Sequence, residues 1–328
     1  MLVARNGVIV FERYKGFVQP GKPEPITDTT PLHVASISKT FTAMAVLKLA
    51  EDSLLNLNDS IQKFFPEFPY RGVTVKTLLN HRSGLPNYAY FLEDLQWDKS
   101  RFISNREILD VMIREKENIK DVRTADTHFS YCNTNYALLA LLIEKVSGKS
   151  YAEYLNHHFF IPLQMHHTKV FTLADSNRLP RSYDWRGSPI KLDFLDQVYG
   201  DKNIRTTVRD LLQWDRGLNC GKLFKQESLD LAYTPYSNER PGIKNYGLGW
   251  RLNVYPDGRK MIFHNGWWHG SNAAYIRLPD ENITIIVIGN QFTRRVYQAH
   301  KLAEILGKEK YPSDGSQISS SEEAGSGS

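Results

Sequence analysis

Cysteine is nearly absent from this chain, with two in 328 residues, Cys132 and Cys220. A pair cannot form a disulfide framework or a four-cysteine zinc site, and a chain this long holds a core without covalent staples. Both are therefore read as buried free thiols. Long apolar runs are missing too. "ITIIVIG" at 283–289 is far shorter than the roughly 20 residues that span a bilayer. Charge of one sign is scarce, since 41 Lys and Arg stand against 36 Asp and Glu, a net +5. That excess is scattered, with no basic run interleaved with aromatics, so nucleic acid is not expected as a partner. The opening "MLVARNGVIVF" has no basic stretch followed by an apolar one, and no signal peptide is expected there.

Several reaction signatures are missing as well. There is no His-Glu-x-x-His, and His157-His158 and His166-His167 are adjacent pairs rather than pairs one helical turn apart. No metal site is expected. "GKS" at 148–150 resembles the end of a phosphate loop, but Ile143 stands where that loop needs Gly. No Gly-x-Ser-x-Gly elbow occurs, which disfavours an α/β-hydrolase. No cofactor is expected.

The composition is that of a globular protein, 41% hydrophobic and 23% charged. At roughly 100–200 residues per domain, one large or two intimate domains are expected. Asn6-Gly7 between β-branched residues predicts a hairpin at the start. The nearly all-apolar stretch 37–50 predicts a helix buried on most sides. Ser104 with Glu107, and Ser150 with Glu153, are capping boxes that open helices, and 133–148 is a helix closing on Gly148. Strand patterns return at 261–267, 272–278 and 282–290, with a turn at 279–282, and a last amphipathic helix covers about 293–307. This order predicts an α+β fold, with one antiparallel sheet built from both chain ends, flanking helices, and an inserted, mainly helical lobe. Residues 1–30 with 200–311 would form the sheet lobe, 31–199 the helical lobe, and the Ser/Gly/Glu-rich 312–328 a disordered tail. A cleft between lobes is where a site is expected.

The chemistry starts from "ASISKTFTA" at 35–43, where Ser36 and Lys39 share a helical face. A Ser hydroxyl attacks only once something takes its proton, and a desolvated Lys can do that. The pair could equally be an N-cap and a solvated Lys. Spacing alone decides nothing, because Ser-x-x-Lys recurs at Ser60/Lys63 and Ser188/Lys191. Only Ser36/Lys39 opens a long apolar helix, whose N-terminus favours developing negative charge. A second proton relay and a polar substrate holder fit Tyr131-x-Asn133, which directly precedes another apolar helix, better than Tyr154/Asn156 or Tyr236/Asn238. "FHNGWW" at 263–268 could supply an imidazole, His264, a Gly for close backbone approach, Gly266, and a backbone N–H at Trp267.

Ser36-x-x-Lys39, Tyr131-x-Asn133 and His264-x-Gly266 in that order resemble the penicillin-recognising serine hydrolases, namely class C β-lactamases, D-alanyl-D-alanine peptidases and their esterase relatives. Flanking text such as "TVKTLLNHRSGLPNY", "FSYCNTNYALLALLIEKVSGKSYAEYL" and "YGLGW" is similar to that family as well, over about residues 7 to 306. The resemblance implies a β-lactamase/transpeptidase-like fold and an acyl-enzyme on Ser36. Lys39 and Tyr131 would share the proton, and Asn133 would hold the substrate's amide or side chain. His264 would tune Tyr131 and meet substrate anions. The backbone N–H groups of Ser36 and Trp267 would form the oxyanion hole. Gly266, Trp268 and Tyr88 are further candidates for contact with substrate. His264, where many relatives carry Lys, points to the esterase and peptidase branch, and no Glu-x-x-Leu-Asn supports Glu-driven deacylation. Trp267 stands where a small residue is usual. The loops at about 85–100 and 180–200, carrying Trp97 and Trp185, would shape the cleft. His81 and Ser83 are read as structural. The expected substrate is a small molecule or peptide with an ester or amide bond, and export is expected by resemblance. The alternative is a penicillin-binding sensor that acylates without turnover.

Overall fold

The computed structural model describes residues 1–307 and 310–312. Apart from Pro312, the tail expected at 312–328 lies outside the described residues. Asn6 and Gly7, at φ 52° and 71°, turn the chain between β1 (Leu2–Arg5) and β2 (Val8–Glu12). β3 (Leu32–His33) leads through a single 3-10 turn, Ala35–Ile37, into α1 (Ser38–Glu51). α2 (Val75–Leu79), α3 (Tyr88–Asp94), α4 (Asn105–Arg114), α5 (Asn133–Ser147) and α6 (Tyr151–Leu155) follow. Both expected capping boxes form, at Ser104 before α4 and Ser150 before α6, and α5 ends on Gly148 at φ 67°. Then come β4 (Lys169–Val170), β5 (Ile204–Thr206), α7 (Val208–Asn219), α8 (Gln226–Ala232), β6 (Lys244–Tyr246) and β7 (Arg251–Val254). β8 (Lys260–Trp268), β9 (Ser271–Leu278), β10 (Ile283–Gly289) and α9 (Ala299–Leu306) complete the order. The single helix expected over 293–307 is instead a 3-10 turn, Arg294–Gln298, running into α9.

The main sheet has the order β2-β1-β10-β9-β8-β7-β6, all neighbours antiparallel. Strands from both chain ends therefore meet at β1 and β10. A small sheet, β3-β5-β4, lies beside it. β9 is buried along its whole length because both faces of the sheet are covered. Ala273 and Tyr275 join the large core with α1 and α5, while Ala274, Ile276 and Leu278 pack with Val296, Ala299 and Ala303 at the C-terminal helix. This is the two-residue side-chain alternation of a strand read from both sides.

α1 is enclosed on all sides. Every residue from Ser38 to Leu47 is buried, polar ones included. The polar groups are accordingly satisfied: Ser38 Oγ accepts from the Ile204 N–H at 3.1 Å, and Thr42 Oγ donates to Gly200 O at 2.6 Å. Phe41 stacks on Trp214 at 4.4 Å and meets Phe160 edge-on at 5.8 Å. The expected pairing of burial and free thiols holds for Cys132 only. Cys220 caps α7 and is exposed, because the helix ends there at the surface. Among the described residues no helix is long and apolar enough to cross a membrane. Phe41→Ala is expected to lower stability by about 3–5 kcal/mol, the usual cost of emptying an aromatic site in a close-packed core. A urea titration reads this as a lower midpoint at unchanged slope.

Candidate active site

The turn that carries Ser36 is built by a neutral histidine. His33 Nδ1 accepts the Ala35 N–H at 3.1 Å, which leaves its Nε2–H to donate to Asn203 Oδ1 at 3.1 Å. Burial first, then the Arg205 guanidinium, hold the His33 pKa well below the usual value. Ala35 is thereby fixed at φ 47°, a left-handed conformation rare for a residue with a side chain. Gly266 on β8 completes the support. A Cβ there would lie 2.1 Å from Val34 O, so only Gly lets the strand press against the turn.

One helical turn on, Lys39 is 0% exposed, with Nζ 3.0 Å from Ser36 Oγ and 2.8 Å from the carbonyl oxygen of Asp201. Its Nζ also lies 5.0 Å from the ring centre of Tyr131. Gly249, at φ 84°, allows this crowding, because a Cβ there would meet Ala43 Cβ at 2.3 Å and Lys39 O at 3.2 Å. The other two Ser-x-x-Lys pairs lack this setting. Lys63 is exposed and paired with Asp59, and Ser188 and Lys191 are both exposed.

Tyr131 stands in irregular chain two residues before α5, and Asn133 is the first residue of that helix. Asn133 Oδ1 is buried and has no hydrogen-bond partner among the described residues. Ser36, Tyr131, Asn133 and Trp267 are half-buried, whereas Lys39 and His264 are sealed behind them. β7 pairs with β8 only as far as Phe263, so the stretch from His264 to Trp268 pairs only with β9 and packs near the Ser36 turn.

His264 donates from Nδ1 to Asn265 O at 2.6 Å, and its Nε2 is 3.2 Å from the Tyr246 hydroxyl, which then donates to it. Burial, then the charges of Arg251 and Lys39, keep its pKa well below the ordinary value. A neutral, enclosed imidazole does not meet substrate anions by charge. Its contact with Tyr131 is through the rings, 6.3 Å between centres.

Two residues expected to touch substrate are turned inward instead. Tyr88 is 1% exposed and donates its hydroxyl to Asp201 Oδ2 at 2.7 Å, so it anchors the segment whose carbonyl holds Lys39. Trp268 is buried, with Nε1 donating to Asp196 Oδ1 at 2.6 Å and Lys202 Nζ 4.5 Å over its ring. Trp267 rests on Phe292. Trp185 is exposed, with Arg186 stacked on it, and Trp97 carries Arg101. The segment expected as a loop at 85–100 contains α3.

Sequence reading missed Arg251, whose guanidinium carbon lies 5.0 Å from the Tyr131 ring centre. Its signal was position: it directly follows "YGLGW". Tyr246 and the Asp201 carbonyl were missed because tertiary contacts, not local patterns, bring them here. One group of possible metal ligands exists among the described residues, Asp193, Asp196 and His269, with ligand atoms within 4.8 Å. Asp196 already accepts from Trp268 and His269, and Lys202 is buried beside the same carboxylates. Those bonds account for the cluster as a structural brace.

Residues 1–307 match the model of the Beta-lactamase family. Penicillin-binding protein 4* of Bacillus subtilis (strain 168) is 30% identical over 308 residues, covering 89% of this chain and 67% of that protein. Protein flp of Staphylococcus aureus (strain MW2) is 28% identical over 333 residues, 95% of this chain but 63% of that one. The chain thus spans about two thirds of the length of these curated relatives. Among solved structures, the octameric penicillin-binding protein homologue from Pyrococcus abyssi superposes with a TM-score of 0.80 at 26% identity, covering 94% of this chain and 74% of that one. The D-amino acid amidase from Ochrobactrum anthropi SV3 gives 0.73 at 23%, covering 89% and 87%, a likeness of fold.

Gly266→Ala should abolish hydrolysis and lower the melting temperature, because the methyl group displaces the Ser36 turn; normal turnover by a folded variant would contradict this. His264 makes a second prediction. Its pKa is lower folded than unfolded, so the unfolded chain binds more protons below about pH 6.5 and stability falls as pH drops. His264→Asn should flatten that fall by up to about 1.4 kcal/mol per pH unit, read from urea midpoints between pH 7 and 5.

Proposed function

The chain belongs to the Beta-lactamase family, and on that premise we propose that it is a serine hydrolase that cleaves an ester or amide bond through an acyl-enzyme on Ser36. The observation that carries this is the placement of Lys39, fully enclosed and 3.0 Å from Ser36 Oγ. Lys39 and Tyr131 act as a proton relay. The relay takes Tyr131 as its phenolate, with the cations Lys39 and Arg251 each 5.0 Å from the ring centre. As Ser36 Oγ attacks the carbonyl carbon, its proton passes to Tyr131, directly or through Lys39. The backbone N–H groups of Ser36 and Trp267 stabilise the oxyanion. Collapse breaks the bond to the leaving group, which takes the proton back from the relay. Water then repeats the sequence on the acyl-enzyme, with Tyr131 receiving its proton.

Asn133, half-buried beside Tyr131, orients the substrate through its side-chain amide. The substrate class is a carboxylic ester, a D-amino-acid peptide or amide, or a β-lactam. His264 acts on the relay rather than on substrate: neutral and bonded to Tyr246, it packs against the Tyr131 ring without adding charge. Ser36→Ala should abolish turnover of a p-nitrophenyl ester while the fold and melting temperature persist. Tyr131→Phe should slow acylation about 10²–10⁴-fold, the usual range for a lost general base. Stopped-flow release of p-nitrophenol measures both, and undiminished acylation in either variant would remove that residue from the mechanism.

A further inference from the structure

We propose that His81 is a positioning residue for Tyr131, gripping the main chain on both sides of that tyrosine and bearing on its ring. The inference rests on the relay reading of Tyr131 given above. Residues 126–132 have no helix or strand of their own, so Tyr131 is not placed by regular structure on its N-terminal side. A relay residue must nevertheless be held to within about half an ångström to work. His81 supplies that constraint. Its carbonyl oxygen accepts the Ser130 N–H at 2.8 Å, and its Nδ1 accepts the Cys132 N–H at 3.1 Å. The imidazole lies against the Tyr131 ring, 4.4 Å between centres.

The imidazole is itself fixed. Ser83 Oγ donates to Asn135 Oδ1 at 2.7 Å, which turns the Asn135 amide so that its Nδ2 faces His81 Nδ1 at 3.3 Å. Two donors, the Cys132 N–H and the Asn135 amide, therefore require Nδ1 to be an acceptor, which leaves the ring's proton on Nε2. Tyr136 and Tyr246 close on the ring at 5.1 and 4.8 Å. Burial, then the charges of Lys39 and Arg251, keep the ring neutral. The backbone of His81 sits at φ 57°, which Asn also adopts readily. A side chain that only filled space would not need an acceptor at Nδ1.

Two uncharged substitutions separate the roles. Asn carries its amide oxygen where Nδ1 lies, and Gln carries it farther out, near Nε2. His81→Asn should acylate with p-nitrophenyl acetate within about 5-fold of the parent rate, and His81→Gln about 10²-fold more slowly, with substrate affinity little changed. In a Tyr131→Phe background the Asn and Gln enzymes should become equal. Equal rates for the two variants with Tyr131 present, or a Gln defect that persists in full without the Tyr131 hydroxyl, would overturn the proposal. Tyr131→Phe alone acylating at the parent rate would instead sink the relay reading, and this inference with it. Thermal unfolding checks that each variant is folded. If His81→Gln does not fold, Ser83→Ala replaces it, since it frees the Asn135 amide to turn; it should slow acylation several-fold, and an unchanged rate would count against the proposal.

Discussion

A lysine ammonium or amine enclosed by protein cannot be left without partners, because the cost of taking it from water is several kcal/mol. Lys39 meets that constraint with two oxygens, Ser36 Oγ and the Asp201 carbonyl. Much of the architecture serves to bring those two oxygens to one nitrogen. The His33 and Ala35 turn presents Ser36 from one side. On the other, the segment around Asp201 is tied down by Thr42 bonding Gly200 and by Tyr88 bonding the Asp201 carboxylate. The long buried helix α1 supplies Lys39 from its first turn and Thr42 from its second, so helix and loop cannot shift independently.

Behind this pair lies a compact set of rings and cations. Tyr131 is faced by Lys39 and Arg251, with His81, Tyr246 and His264 packed around it. Both histidines are kept neutral by burial and by those same two cations. The consequence is a site in which the positive charges face the tyrosine while the imidazoles serve as fixed hydrogen-bonding groups. Gly249 and Gly266 are the small residues that make the density possible, one against Lys39 and one against the Ser36 turn.

Much of the fold was legible in local chemistry. Asn6-Gly7, the two capping boxes and Gly148 each specify their turn or helix end by side-chain or φ requirements, and each did so. The late strands were legible from β-branched content. The short strands β3 to β7 were not, because two to four residues carry no usable period, and β3, β4 and β5 are held by partners distant in the chain. At the site, Ser36 and Lys39 could be singled out because only one Ser-x-x-Lys opened an apolar helix. Tyr88 and Trp268 were misjudged because an aromatic beside a motif says nothing about which way it faces; their polar tips proved committed to buried Asp201 and Asp196. Arg251 and His81 are joined to Tyr131 only through tertiary contacts, which no spacing in the sequence encodes.

The central claim is that Ser36 is the nucleophile and Lys39 its enclosed partner. The most direct measurement is intact-protein mass after brief exposure to a penicillin and, separately, to an activated ester, followed over time and localised by peptide mapping. The account predicts a covalent acyl adduct with at least one of them, on Ser36 alone, absent from Ser36→Ala, with a lifetime that reports deacylation. An adduct on another residue, or ester turnover that survives in Ser36→Ala, would contradict it.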